Sequence, residues 1–342
     1  MYFTSDNASG AHPQILAALT HANDGFARSY GADAIMERVT ARVREVFRHP
    51  EAAVYLVATG TVANSLSLAI HSKPWSAVFA HTEAHIATDE CGAPEFYTDG
   101  AKLIGVAGDH GKMTPDSLAQ TIGRIGEVGV HGVQRGMVSI TNVTEAGTVY
   151  TPAEVAALTA VAKQWGLPCH LDGARFANAL VATGSTAAEM TWQAGIDVVS
   201  FGGTKNGCLG VEAVVMFNPE KAWEFELRRK RAGHLLSKHR FLSAQFEAYL
   251  TSDLWLKLAA HANDMGAKLA AGVAAAGATH QHPAQANMMF PEWTMGTHQR
   301  LEAAGAAYYQ MPASTGMEAA RLVTSWNTTD AEVDQFLATL RG

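Results

Sequence analysis

The chain has little charge and no concentration of it in either sign. Charged residues make up 17% of the 342, and acidic ones outnumber basic ones for a formal net charge of −7. Such a chain offers no electrostatic footprint for a phosphate backbone or an anionic membrane, so neither nucleic acid nor lipid is an expected partner. Cysteine is scarce as well. Cys91, Cys169 and Cys208 are odd in number and far apart, which fits neither a disulfide framework nor a CxxC metal pair. The fifteen histidines include no HxxxH pair with a nearby acid on a clear helix, so no metal site is expected. No apolar run approaches the roughly 20 residues of a spanning helix, and the opening MYFTSDNASG lacks the charged and apolar regions of a signal peptide. A cytoplasmic location is the expectation. Also missing are GxGxxG and the Walker pattern, which removes the main support for a nucleotide-binding reading.

What is present is a composition 48% hydrophobic, on a chain long enough for one large α/β unit or two lobes. From Ala52 to about Val215, short apolar runs alternate with helical stretches: AAVYLVA, SAVFA, KLIGV, GMVSI, LPCHLD and IDVVSF, with a helix from Val62 to Ile70 after the first. Strands spaced by helices predict βαβ units and a mainly parallel sheet. SLAQTIGRIGEV and PAEVAALTAVAKQWG read as crossover helices, the second capped by Thr151, opened by Pro152 and closed by Gly166. From about Lys221 to Ala276 the pattern becomes long and helical, and shorter mixed pieces follow as far as ARLVTSW. The expected division is an N-terminal segment over 1–15, a large domain over 16–240 and a smaller α+β C-terminal domain over 241–342.

IDVVSFGGTKNG places Lys205 just after a buried strand, across a Gly-Gly pair suited to close approach of backbone to a ligand. Alone it would be a surface lysine in a loop. One βαβ crossover earlier, PCHLDGARF ends an apolar strand in Asp172. Ligand sites of open α/β sheets form outside the carboxyl ends of the strands, so both side chains can reach one crevice. Pyridoxal 5'-phosphate (PLP) chemistry needs this pair: a lysine for the Schiff base and an aspartate to keep the pyridinium nitrogen protonated. In VATGTVANSLSLA, Thr59, Gly60 and Thr61 stand between strand and helix, where backbone N–H groups and hydroxyls favour phosphate. His85 follows the next strand, placed to stack on a cofactor ring or to act as acid or base, with Asp89 and Glu90 nearby either to orient it or to cap a helix.

Phosphate loop, His85, Asp172 and Lys205, in that order and separated by whole βα units, resemble the PLP-dependent transferase-like (fold type I) enzymes. Within them FTSDNASGAHP, RSYGAD, EAHIATDECGAPEF, DGARFANA, AGIDVVSFGGTKNG, SKHRFLSA and RLVTSW are similar to the L-threonine aldolase family, in its low-specificity and phenylserine aldolase branch. The resemblance runs from about Phe3 to Trp326. It implies Lys205 as the Schiff-base lysine with Thr204 beside it, Asp172 at the pyridine nitrogen, and Arg175 near the cofactor's phenolic oxygen and the substrate. It implies Lys230 and Arg240 on the phosphate, often lent by a neighbouring subunit, and Ser5 and Arg321 on the substrate carboxylate. Tyr30 would approach from the partner, and His85 and His131 are the two candidates for contacting the β-hydroxyl.

The implied reaction is retro-aldol cleavage of an L-β-hydroxy-α-amino acid, of the L-threonine, L-allo-threonine or L-phenylserine type, to glycine and an aldehyde. A homotetramer or homodimer with shared sites is implied too. Two departures stand out: NVTEAG puts Glu145 where many relatives carry histidine in ENTH, and LLSKHRFLSA replaces a Gly-rich GGGMRQ. Other fold type I activities, such as β-elimination, racemisation or transamination, use the same lysine and aspartate, and a non-catalytic PLP-binding protein is a rival of another class.

Overall fold

The computed structural model describes all 342 residues. Its largest sheet has seven strands: β1 (Ala53–Val57), β2 (Ser76–His81), β3 (Lys102–Val106), β4 (Gln134–Thr141), β5 (Cys169–Gly173), β6 (Val198–Gly202) and β7 (Glu212–Met216). The spatial order is β1-β7-β6-β5-β4-β2-β3. The first six are the apolar runs read from the sequence. Residues of β2, β5 and β6 are buried throughout, as expected of strands covered on both faces by helices. β6, β5, β4, β2 and β3 run parallel, whereas β7 is antiparallel to both β1 and β6.

That reversal matters for position. Glu212 at the start of β7 pairs with Val57 at the end of β1 and with Gly202 at the end of β6. It therefore lies on the rim where the neighbouring strands finish.

The crossover helices form where their caps predict. Thr151 and Glu154 make a reciprocal capping box at the helix Pro152–Gln164, and Gly166 follows it in the left-handed region at φ +67. The long helical stretch resolves into three helices, Ala222–Arg231, Arg240–Leu250 and Leu254–Ala275. Beyond them, β8 (Thr279–His280), β10 (Pro291–Thr294), β11 (Tyr309–Met311) and β12 (Met317–Val323) form a smaller antiparallel sheet, with β9 (Met288–Met289) against β12. No helix is long and apolar enough to cross a membrane.

Two apolar cores meet inside the helix Leu254–Ala275. Trp255, Leu258 and Ala259 belong with the large sheet, whereas Met265, Leu269 and Val273 belong with the small one. Leu242, Phe246 and Tyr249, placed by the sequence reading in the small domain, also pack on the large core. The chain's first residues do the reverse. Phe3 is buried in the small core, its N–H donating to Ala307 and its carbonyl accepting from Val323.

Phe201, four residues before Lys205, anchors the large core. Its ring lies within 5.1 to 6.0 Å of the rings of Trp255, Phe246, Phe176, Phe47 and Tyr249. Truncating a fully buried ring removes transfer energy and leaves a cavity, so Phe201→Ala should cost about 3–5 kcal/mol, read as a lower midpoint in urea denaturation.

Candidate active site

A cavity of about 250 Å³ opens at the rim and is lined by 13 residues from the ends of β1, β5 and β6, the start of β7 and the segments beside them. On one side the chain leaves β1 and turns into the helix Gly60–Ala69 through Thr59, whose Oγ1 accepts from the Val62 N–H at 3.3 Å. The first N–H groups of a helix have no partner within it and carry its positive dipole end. Gly60 and Thr61 present theirs at the cavity wall. A Cβ on Gly60 would meet no protein atom within 4 Å.

Opposite, β6 ends in Gly202 and Gly203 and passes into a 3-10 turn, Thr204–Asn206, that carries Lys205. Both glycines are required by the protein backbone around them. A Cβ on Gly202 would collide with the Ala174 carbonyl, and one on Gly203 would sit 2.7 Å from the Val211 carbonyl. The pair lets the lysine turn press against protein backbone. Asn206 then pins the turn, its Nδ2 donating to Tyr249 Oη and the Trp255 carbonyl, each at 2.8 Å. Glu212 Oε2 accepts from the Gly203 N–H at 2.7 Å, and Thr204 Oγ1 accepts from the Val211 N–H at 3.1 Å.

Between these walls lies a buried polar network. Asn64 Nδ2 donates to Asp172 Oδ2 at 3.0 Å and to Glu90 Oε1 at 2.9 Å, and Glu90 Oε1 also bonds His85 Nδ1 at 2.9 Å. Asp172 Oδ1 accepts from the Ala174 N–H. Burial raises both carboxyls, with His85 and Lys205 opposing the rise at Asp172 and the His85 bond opposing it at Glu90. The Glu90 bond in turn raises His85 against the pull of burial. Two residues below Asp172, His170 is braced between Ser139 Oγ (2.9 Å) and Ser200 Oγ (3.0 Å), and burial pushes it down to about 3. His170 is thus a neutral strut.

A second group borders the first. Arg175 holds Asp6 through Nε–Oδ2 at 2.6 Å and Nη2–Oδ1 at 3.0 Å, and Asn287 adds a bond to Oδ2 at 3.2 Å. Burial pushes Asp6 up, but the charges of Arg175 and Lys205 outweigh it and hold the carboxyl below its usual range. Arg321 is half-buried. Its Nη2 reaches the Thr4 carbonyl at 3.4 Å and its Nε is buried with no partner, leaving donors to spare. Burial and the nearby Arg175 lower Arg321, while Glu145 and Asp6 raise it.

The matching family model, described as beta-eliminating lyase, spans residues 3–294. A low specificity L-threonine aldolase of a Pseudomonas species is 40% identical over 340 residues, covering 99% of this chain and 96% of that protein. A solved Leishmania major threonine aldolase superposes with a TM-score of 0.94 at 31% identity, over 99% of this chain and 98% of that one. This chain belongs to the L-threonine aldolase family. An SPT solved with PLP, at 17% identity and a TM-score of 0.70 over 100% of this chain and 86% of that one, shares the fold.

Of the residues that family resemblance singles out, the cavity gathers Thr59, Gly60, Thr61, His85, Asp172, Thr204 and Lys205. Arg175 and Arg321 are not among the lining residues: Arg175 follows lining Ala174 and holds Asp6, which precedes lining Asn7, and Arg321 lies within electrostatic reach of both Arg175 and Asp6. Ser5 does not line it: its Oγ caps the short turn Asp6–Ala8 by accepting from the Asn7 N–H, and Asn7 faces the cavity instead. Tyr30 and Lys230 meet on the surface, the ammonium 4.6 Å from the ring centre, and Arg240 Nη1 donates to the Asp24 and Gly25 carbonyls. His131 is exposed in the turn Gly129–His131 ahead of β4, at the opposite end of the strands from the cavity. The sequence reading did not assign roles to Asp6, Asn64 or Glu212. Glu212 had a signal, being a charged residue inside an otherwise apolar buried run, whereas Asn64 sits among the polar Ser65 and Ser67 and stands out less. A larger cavity of about 470 Å³, between Phe96 and the helix Ala222–Arg231, contains none of these groups.

Since the bond to Glu90 is the largest influence raising His85, Glu90→Gln should move the His85 imidazole to a lower titration point, because burial would then be the largest influence left, opposed only by the charges of Asp172 and Glu145. Ring-proton or ring-nitrogen NMR measures the shift. An unchanged titration would show that Glu90 does not set the state of His85.

Proposed function

We propose that this chain cleaves L-β-hydroxy-α-amino acids, such as L-threonine, L-allo-threonine or L-phenylserine, into glycine and an aldehyde, using PLP carried on Lys205. The observation that carries the reading is the meeting of a lysine amine, a buried carboxyl, a histidine and an open helix start in one cavity. These residues fit the cofactor. Gly60 and Thr61 N–H groups with the hydroxyls of Thr59, Thr61 and Thr204 suit a phosphate, and the buried Asp172 carboxyl suits a protonated ring nitrogen. When bound, PLP supplies an electron-withdrawing ring that accepts the electron pair of the bond broken at Cα.

The chain's own residues do the rest. Asp172, fixed by Asn64 and the Ala174 N–H, holds a proton at the ring nitrogen. His85 spends Nδ1 on Glu90 and keeps Nε2, 3.6 Å from the exposed Asp89, for stacking or for the β-hydroxyl proton. Arg321 offers its free donors to the substrate carboxylate, with Ser5 next in the chain to Thr4, whose carbonyl Arg321 reaches, and Arg175 adds charge from a position locked by Asp6. Lys230, Arg240, Tyr30 and His131 act on a neighbouring copy, in a homodimer or homotetramer whose sites are shared. The unit that holds the cofactor extends past residue 240 to about Ala259, where the large core ends.

A second reading is favoured by the description of the matching family: β-elimination, giving a 2-oxo acid and ammonia. Incubation with L-threonine and L-phenylserine separates the two. Glycine with acetaldehyde or benzaldehyde is the expected result, whereas a 2-oxo acid with ammonia and no aldehyde would replace the aldolase reading. Lys205→Ala should lose the visible absorption of lysine-bound PLP and lower kcat/KM by more than about 10³-fold.

A further inference from the structure

Glu212 is buried, 7% exposed, and takes no part in the reaction described above. Its place is unusual. Because β7 runs against β1 and β6, its first residue faces the points where both neighbours end, with Ala58 to Thr61 leaving β1 on one side and Gly203 to Lys205 leaving β6 on the other. The carboxyl lines the same cavity as Thr59, Gly60, Thr61 and Thr204. The cradle offered to a phosphate thus contains a carboxyl group of its own. A carboxylate and a phosphate dianion side by side in a partly dehydrated pocket repel each other strongly, and the less costly arrangement protonates the weaker acid.

We propose that Glu212 couples anion binding to proton uptake: a phosphate dianion enters the cradle together with a proton that neutralises the Glu212 carboxyl. The inference rests on the reading of this cavity as the cofactor's phosphate site. Burial already pushes Glu212 up to about 7, against the hydrogen bonds of Thr204 and the Gly203 N–H and the charge of Lys205. The groups facing it are few. Lys205 is the cation of the lysine turn, and Cys208 and Tyr249 are both raised by burial and stay neutral. On the β1 side His234, lowered by burial, approaches the Ala58 N–H, and His85, Glu90 and Asp172 lie elsewhere on the cavity wall. Residues 57–61 carry no titratable side chain. Anion affinity therefore falls as pH rises through neutrality, and the fall has Glu212 as its main source.

The test uses sulfate, which keeps its double negative charge throughout the range, on the cofactor-free protein from pH 6 to 9 by calorimetry. Wild type and Glu212→Gln should bind alike at pH 6 and diverge above pH 7, the variant binding at least tenfold tighter at pH 9. Curves in a constant ratio at every pH would overturn the proposal. A second measurement needs no variant: infrared difference spectra of the wild type at pH 8 should show a carboxylate lost and a protonated carboxyl gained on sulfate addition, and their absence would overturn it equally. PLP is added to the same proteins in parallel. A wild type that takes up PLP while the sulfate curves run parallel loses this inference alone; one that takes up no PLP loses the cofactor reading and this inference with it.

Discussion

Charge taken out of water must be paired, and at the rim of the large sheet that requirement governs nearly every side chain. Asp6, Glu90, Asp172 and Glu212 are all buried there. An unpaired buried ion costs several kcal/mol, and removing one partner of a buried pair costs about 3–5 kcal/mol. The structure answers with a different device for each. Asp6 takes a forked guanidinium, Glu90 an imidazole and an amide, Asp172 the other end of that interaction through the same Asn64 amide, and Glu212 a backbone N–H. Only Asp6 ends below its usual range; the other three are raised by burial. The site thus combines one carboxylate held below its usual range with three carboxyls that burial raises.

Topology decides which carboxyls can meet. β1, β5 and β6 deliver Thr59, Asp172 and Lys205 by ending at one rim, and reversed β7 delivers Glu212 by starting there. The N-terminal segment reaches the same place by another route. Phe3 is fastened into the small core, and residues that follow it carry Asp6 to Arg175 and Asn7 to the cavity. The small lobe contributes to the site through these residues, Asn287 and Arg321. The aromatic cluster around Phe201 holds the other side, because the turn bearing Lys205 is tied by Asn206 to Tyr249 and Trp255, two members of that cluster.

Much of this was legible in the sequence where the signal was local. Six strands of the large sheet stood out as apolar runs, and the helix at Pro152 announced both its ends through Thr151 and Gly166. β7 escaped because only nine residues and a 3-10 turn separate it from β6, with no α-helix between them to mark a new unit. Lys205 and Asp172 were readable from strand-end position, and the Gly-Gly pair before Lys205 from composition, but its close packing against Ala174 and Val211 was not. Asp6 and Asn64 could not be assigned. A carboxylate near the start of the chain pairs with an arginine 169 residues away, and no spacing rule spans that distance. The seam between the cores was hidden for a related reason: the helix Leu254–Ala275 is one continuous segment, and only its tertiary contacts reveal that its two ends serve different cores.

The balance of charge within the cavity bears on how the site is completed. A single chain brings Lys205 and His85 there, against Asp172, Glu90 and Glu212. Helix-start N–H groups and hydroxyls can orient a phosphate, but they add only partial positive charge. A dianion entering this cavity therefore needs compensation from elsewhere. One source is a proton on Glu212, the carboxyl set between the strand end that leads to the helix start and the turn that carries Lys205. The other, under the proposed sharing of sites between copies, is a set of cations on a neighbouring copy. The exposed surface that gathers Lys230, Tyr30 and Arg240 has no role within its own cavity, and its ammonium and guanidinium groups are held at defined positions by the Tyr30 ring and by the Asp24 and Gly25 carbonyls. The two sources differ in what they respond to: compensation by Glu212 follows pH, whereas compensation by a neighbouring copy follows protein concentration. Under the proposed function, a site that draws on both would tie cofactor retention to solution conditions and to assembly through separate groups on one chain.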